Sequence, residues 1–181
     1  TFGDPADPAI LLVMGLGTQM LAWRDDMCTA LADAGHFVIR YDNRDVGLST
    51  HIDAPVPKLT DMVLKRGAPY SIADMANDAF GLLDALGIDR FHLVGASMGG
   101  LTGMMVQARH EAFSALVLVD VTPRWEIAGV ARIMAFMNAF PHGFDSYEHA
   151  ADVIASYLPH RRERKSSKQL QFLLREHQGR L

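Results

Sequence analysis

Residues 91–100 read FHLVGASMGG, and this stretch decides the fold. Its first half is an apolar run that predicts a buried strand, and a helical pattern follows over residues 98–110. Between the two, Gly95, Ser97 and Gly99 fit the pattern G-x-S-x-G. Small residues let the backbone turn sharply from strand to helix. We therefore predict that the Ser97 hydroxyl stands above the carboxyl end of a sheet, where it can act as a nucleophile.

Short apolar runs alternate with helical patterns along the first two thirds of the chain. Strands are predicted at residues 10–14, 37–41, 91–94 and 115–119, and helices at residues 23–34, 71–86 and 98–110. The helix at residue 71 has a capping box, with Ser71 as its N-cap and Asp74 three positions later. Because such an alternation buries a parallel sheet between layers of helices, the predicted fold class is α/β.

The pattern changes after Pro123. Helices are predicted at residues 124–139, 147–158 and 167–177, with no strand between them. We therefore expect two parts, an α/β core over residues 1–122 and a helical lid over residues 123–181.

Composition and charge exclude several classes of partner. The chain has 181 residues and a formal net charge of -4, so no positive field would attract nucleic acid or an anionic membrane. A run of about 18 apolar residues, which a membrane span needs, does not occur. Cys28 is the one cysteine, which excludes an intramolecular disulfide. The expected location is the cytoplasm, and the expected partner is a small molecule.

Acyl transfer also needs hydrogen-bond donors aimed at the developing oxyanion. Gly15, Leu16 and Gly17 follow the first predicted strand, and Met98 begins the helix after Ser97. We predict that the backbone N–H groups of Leu16 and Met98 form this oxyanion hole, because both lie at the carboxyl ends of parallel strands. The alternative is that the glycines form only a tight turn.

Three segments together resemble one superfamily. The order of ILLVMGLGTQMLAW, VIRYDNRDVGLST and FHLVGASMGG is similar to the α/β-hydrolases, especially the esterase and peptidase-like branch that includes anthracycline methyl esterases. The resemblance implies a Ser-His-acid triad, a cap between two strands, and no cofactor. Met14 stands where many relatives have His, and Asp45 where relatives often have Gly. Asp42, Arg44, Gly47 and Ser49 are expected to build the loop beneath the site.

The remaining members of the triad are harder to place. Asp120 ends the fourth predicted strand at the same end of the sheet as Ser97, and it resembles the acid of some family members. The favoured alternative is that Asp120 caps a lid helix or is structural, and that the acid follows a later strand. None of the eight histidines follows a strand as the family's catalytic histidine does. We therefore expect the chain to be a fragment that lacks its base.

Two other functions compete with the hydrolase. In a dinucleotide-binding domain, Gly15, Gly17 and Asp42 would have roles, but Met20 occupies the place of the third glycine. In a non-catalytic protein of the same fold, an apolar pocket would bind a small ligand, lined by Met134, Phe136, Met137 and Phe140. Within the hydrolase reading, the sequence does not choose among ester, amide, thioester and carbon–carbon bonds; a carboxylic ester is favoured.

Overall fold

A computed structural model of the chain describes residues 1–54, 67–111, 113–124, 126–160, 162–171, 174, 176 and 179–181. The chain divides into two compact units, Thr1–Pro123 and Arg124–Leu181. In the described residues, no helix has both the length and the apolar character needed to cross a membrane.

The first unit is built on a parallel sheet. Its strands are β1 Ala9–Val13, β2 Phe37–Arg40, β3 Phe91–Ala96 and β4 Phe113–Val119. Their order across the sheet is β2-β1-β3-β4, and each neighbouring pair is parallel. The predicted α/β class is therefore confirmed. Because all four strands run in the same direction, the loops that follow them meet at the carboxyl end of the sheet.

Helices connect the strands of the first unit, and the described residues of the second unit contain three more helices. The first unit contains α1 Asp25–Asp33, α2 Ile72–Ala85 and α3 Met98–His110, with a short 3-10 turn at Met20–Ala22. The second unit contains α4 Ile127–Asn138, α5 Tyr147–Tyr157 and α6 Ser167–Leu170. The predicted capping box is confirmed, since Ser71 N donates to Asp74 Oδ2 at 2.7 Å and Asp74 N donates to Ser71 Oγ at 3.4 Å.

Strands β1 and β2 are buried on both faces of the sheet, whereas β4 is largely exposed. Successive strand side chains point to opposite faces, so Leu11 and Val13 pack with the buried residues of α2 and α3. Ile10 and Leu12 pack on the other face with Cys28 of α1. This two-sided burial explains why the strand sequences are nearly continuous apolar runs rather than alternating ones. It also gives the loops at the carboxyl end a rigid support.

The buried face of α1 differs from the predicted one. The helix begins at Asp25, so Trp23 lies before it. Met27 is 38% exposed, and Cys28 is buried in its place. The prediction was wrong because it counted the helical period from Trp23. Trp23 packs in the same core cluster as Cys28 but lies before the helix, so the predicted buried positions do not match those of α1.

The last helix is shorter than predicted. It ends at Leu170, whereas the pattern indicated a helix to residue 177. The backbones of Phe144 and Leu181 exchange two hydrogen bonds, of 2.7 Å and 3.0 Å. His177, the last residue of the predicted helix, lies outside the described residues.

Candidate active site

Ser97 lies at a strained turn between β3 and α3. Its φ is 51° and its ψ is -117°, a combination that non-glycine residues rarely adopt. The backbone is held there by a hydrogen bond from Ser97 N to the carbonyl oxygen of Val119, at 2.8 Å. The Ser97 side chain is exposed and does not cap the helix that it precedes. The turn thus presents the hydroxyl at the carboxyl end of the sheet.

The two glycines around Ser97 are required by close backbone contacts. A Cβ on Gly95 would lie 2.5 Å from the carbonyl oxygen of Gly99 and 2.6 Å from the nitrogen of Gly100. A Cβ on Gly99 would lie 2.7 Å from the carbonyl carbon of Val13. Real side chains do not tolerate such distances. Gly95 and Gly99 therefore allow α3 to pack directly against the ends of β1 and β3.

The loop after β1 faces the serine. A Cβ on Gly15 would lie 3.2 Å from Ser97 Cβ and 3.7 Å from Ser97 Oγ. Leu16 follows immediately, and no acceptor in the described part of the chain takes its backbone N–H. Met98 is the first residue of α3, where a backbone N–H has no partner inside the helix. Two backbone donors thus belong to the two segments that meet at Ser97.

The side chains of Leu16 and Met98 are packed in one apolar cluster. Met98 is 3% exposed and lies with Tyr70, Ile72 and Met75, against which Leu16 also packs. The packing shows that the side chains of Leu16 and Met98 anchor the segments that carry the two N–H groups.

Asp42 joins the loops that follow β1 and β2. Its Oδ1 accepts the backbone N–H of Met20 at 2.7 Å, and its Oδ2 accepts that of Leu48 at 3.1 Å. Ser49 Oγ donates to the carbonyl oxygen of Asp42. Gly47 approaches the carboxylate so closely that a side chain there would collide with it. These contacts give Asp42, Gly47 and Ser49 a structural place in the loop.

Asn43 is a site residue that the sequence analysis missed. Its side chain is 2% exposed, and Nδ2 donates to the carbonyl oxygen of Met14 at 3.0 Å. The available signal was weak, because a polar residue in the loop that follows a buried strand is common. The partner, 29 residues earlier in the chain, could not be read from the pattern.

Left-handed residues gather at the same end of the sheet. Asp45, Ser97 and Asp120 have φ values of 64°, 51° and 56°, and they follow β2, β3 and β4 respectively. Asp45 is held by the backbone N–H of Ile52, which donates to Asp45 Oδ1 at 2.6 Å. Its positive φ gives a physical reason for glycine at this place in relatives, and aspartate is among the side chains that tolerate it best. Such strain often concentrates at functional sites.

Arg44 packs against the ring of Tyr70 beside the apolar cluster. The guanidinium donates two hydrogen bonds to the Asp78 carboxylate, at 2.6 Å and 2.7 Å, and lies 5.2 Å from the centre of the Tyr70 ring. Tyr70 is 6% exposed. Burial, with a smaller contribution from the Asp45 carboxylate, raises the pKa of Tyr70 to about 12.

The raised pKa of Tyr70 predicts a stability change at alkaline pH. The protonated phenol is favoured in the folded state, so its contribution is complete below pH 10 and is lost as pH rises toward about 12. Tyr70→Phe is expected to flatten this part of the pH dependence of the free energy of unfolding. The difference in tyrosinate absorbance between the parent chain and Tyr70→Phe, followed against pH, measures the titration of Tyr70 directly. A Tyr70 midpoint at the ordinary pKa of 10 would contradict the account.

Asp120 lies beside Ser97 at the end of the neighbouring strand. Ala96 and Val119 are register partners in β3 and β4, and Asp120 is the exposed residue that follows. The N-cap of α4 is Glu126, so the expectation that Asp120 caps a lid helix is wrong for this helix. Its role as the triad acid stays a prediction.

None of the histidines in the described residues hydrogen-bonds to Ser97. His36 and His92 form a pair at the amino end of the sheet, with ring centroids 6.0 Å apart. His110 stacks on Phe80 at 3.9 Å, and His149 pairs with Asp145 at 3.2 Å. The contacts of these rings therefore do not bring a base to the serine.

These features define a class: a parallel α/β sheet whose central strand ends in a strained serine turn. Comparison with protein families agrees, since residues 8–176 match the alpha/beta hydrolase fold. The match covers most of the chain, and the chain belongs to the α/β-hydrolase fold family. The resemblance predicted from the three segments is confirmed at this level.

Individual relatives match about three fifths of the chain. Over 104 residues the chain is 38% identical to Rhodomycin D methylesterase DauP of a Streptomyces species. The aligned stretch covers 58% of this chain and 31% of that protein. Over 118 residues it is 42% identical to a Variovorax paradoxus protein named putative carbamate hydrolase RutD, covering 64% of this chain and 39% of that protein. The chain thus spans well under half the length of these relatives.

A solved structure extends the likeness to more of the chain. It is an α/β hydrolase from Novosphingobium aromaticivorans, which superposes with a TM-score of 0.65 at 27% identity. The alignment covers 86% of this chain and 50% of that one.

Proposed function

We propose that the chain carries the nucleophile and oxyanion hole of a serine hydrolase that cleaves carboxylic esters of small molecules. The observation that carries this proposal is the geometry at Ser97. A strained, exposed serine faces Gly15 across the site, and the N–H groups of Leu16 and Met98 belong to the segments on either side of it. Neither a tight turn nor a helix cap requires all of these features together.

Each reaction step uses one of these groups. Ser97 Oγ attacks the ester carbonyl carbon while its proton passes to a general base, for which the family pattern implies a histidine. The carbonyl π electrons move to the oxygen, and that oxyanion accepts hydrogen bonds from Leu16 and Met98. The alkoxide leaves with the proton from the base. Water then attacks the acyl-enzyme and gives a proton to the base, the bond between the acyl carbon and Ser97 Oγ breaks, and the base returns the proton to Ser97 Oγ as the carboxylic acid leaves. The acid that orients the base is Asp120 or a residue after a later strand.

The start of α3 adds to the stabilisation of the oxyanion. Its first N–H groups carry a partial positive charge, and Met98 is the first residue of that helix. Fixed donors of this kind act most strongly in a site with little water, and one donor is worth about 10²- to 10³-fold in rate. The apolar cluster around Met98 and Tyr70 supplies such surroundings on one side.

Two observations support a carboxylic ester as the bond that is cleaved: the names of two relatives and the apolar side chains near Ser97. One relative is named a methylesterase and another a carbamate hydrolase, and both substrates carry a carbonyl bonded to oxygen. The partly buried apolar side chains of Leu16 and Ile52 favour a substrate with an apolar acyl group. The single cysteine, Cys28, is buried and free, which fits a reducing compartment such as the cytoplasm.

The proposal is tested by covalent labelling. A fluorophosphonate probe is expected to modify the chain once, on the peptide that contains Ser97, and to leave Ser97→Ala unmodified. Mass spectrometry of the digested protein locates the label. Labelling of another residue, or equal labelling of Ser97→Ala, would overturn the proposal. The rate also tests the prediction that the chain lacks its base, because labelling as fast as in a complete triad would show a base to be present.

A further inference from the structure

The loop that carries Leu16 is hydrogen-bonded at both ends by two consecutive side chains, those of Asp42 and Asn43. Asn43 binds the backbone where the loop leaves β1, and Asp42 binds it where the loop enters the 3-10 turn. Both side chains are buried, and both belong to the segment that follows β2, the strand next to β1.

The Asn43 tie fixes the peptide group that precedes Gly15. Its Nδ2 donates to the carbonyl oxygen of Met14 at 3.0 Å, and the side chain is 2% exposed. Gly15 has no side chain and therefore few steric limits on its own backbone angles. Without this hydrogen bond the Met14–Gly15 peptide group could rotate, and the Leu16 N–H in the next peptide group would change direction with it. With it, the peptide is held where Gly15 faces Ser97.

The Asp42 tie fixes the far end of the same loop. The Met20 N–H donates to Asp42 Oδ1 at 2.7 Å, a short distance typical of a hydrogen bond to a charged acceptor. The other carboxylate oxygen accepts from Leu48 at 3.1 Å, so the aspartate is itself held from two directions. The loop from Met14 to Met20 is thus a short span between two fixed points.

We infer that Asn43 is a positioning residue for the oxyanion hole: it sets the direction of the Leu16 N–H through the Met14 carbonyl, with Asp42 as the second anchor. This inference rests on the proposed function. It has a definite kinetic consequence, because the oxyanion develops only in the tetrahedral intermediate and the transition states around it, not in the bound substrate. Loss of the Asn43 contact should therefore lower kcat and leave KM nearly unchanged.

The variants Asn43→Ala and Asn43→Asp test the inference. The second keeps the shape of the side chain but replaces the amide donor with an acceptor. Both are expected to lower kcat for p-nitrophenyl acetate by about 10- to 100-fold, part of what a whole oxyanion donor is worth, with KM within about 2-fold. Phenylboronic acid forms a tetrahedral adduct with serine, and its inhibition constant should rise in parallel with the fall in kcat. Asn77→Ala is the matched control, because Asn77 is an exposed asparagine bound to Arg109 on another part of the surface.

The outcomes separate this inference from the proposed function. If Ser97→Ala leaves hydrolysis unchanged, the proposed function fails. If Ser97→Ala abolishes it while both Asn43 variants keep the parent kcat, the proposed function stands and the inference is wrong. A lower melting temperature with unchanged kcat and unchanged phenylboronic acid affinity would mean that Asn43 is only structural, which also overturns it.

A second measurement does not depend on turnover. The backbone order parameter of the Leu16 N–H, from ¹⁵N relaxation, is expected to be near 0.85 in the parent chain and in Asn77→Ala, and below about 0.6 in Asn43→Ala. Order parameters in β1 serve as the internal reference for the fold. A Leu16 value that stays rigid in Asn43→Ala would contradict the inference.

Discussion

Ser97→Ala is expected to abolish formation of an acyl-enzyme. With p-nitrophenyl acetate, the parent chain should gain the mass of one acetyl group, and the variant should gain none. The rate of p-nitrophenol release should fall at least about 1000-fold where a base assists Ser97, because loss of the serine from a complete triad costs about 10⁶-fold. Substrate binding should persist, since the hydroxyl is a small part of the binding surface.

The control for this experiment is Ser114→Ala. Ser114 is an exposed serine on β4 and has no place in the proposed site. Its replacement should change neither the acetyl adduct nor the rate. If the Ser97 variant still acquires the acetyl group, Ser97 is not the nucleophile. If neither parent nor variant is acylated while both bind ligand equally, the non-catalytic binding protein becomes the better account.

Gly99→Ala is expected to disrupt the serine turn itself. The added methyl group would lie 2.7 Å from the carbonyl carbon of Val13 and 2.8 Å from the carbonyl oxygen of Met14. These are backbone atoms of β1 and its loop, which cannot yield as a flexible side chain would. Overpacking of this kind costs about 1–3 kcal/mol of the free energy of unfolding. The displacement falls on the segments that carry Ser97 and Leu16, so labelling by a fluorophosphonate should be lost as well.

The matched control is Gly81→Ala in α2. A Cβ at Gly81 meets no atom within 4 Å, and its backbone is helical. Alanine there should raise the free energy of unfolding by about 0.5–1 kcal/mol, as glycine weakens a helix. Denaturant unfolding of both variants measures the contrast. A Gly99→Ala protein as stable and as reactive as the parent would show that the close approach of α3 to β1 is not needed.

Local patterns predicted the regular elements well. The helix after Ser97 was predicted over residues 98–110, and the structure has it at Met98–His110. The capping box at Ser71 was found from two residues, because the signal lies within one turn of the helix. The serine turn was equally visible, since three small residues between a strand and a helix permit a sharp turn that larger side chains would block. The catalytic role of Ser97 itself stays a prediction.

Contacts between distant segments could not be predicted in the same way. Asn43 contacts Met14 only because β2 lies next to β1 in the sheet, and that order is not written in either segment alone. The bracing of Tyr70 by Arg44 likewise joins a loop to the segment before α2. The error at Trp23 has the same origin, because its packing with Cys28 in the core overrode a plausible local helical pattern.

The most direct measurement of the central claim is a crystal structure of the chain with phenylboronic acid. The account predicts a covalent bond between boron and Ser97 Oγ, with one boronate oxygen about 2.7–3.1 Å from the backbone nitrogens of both Leu16 and Met98. An adduct on another residue, or a boronate on Ser97 whose oxygens reach neither nitrogen, would contradict it.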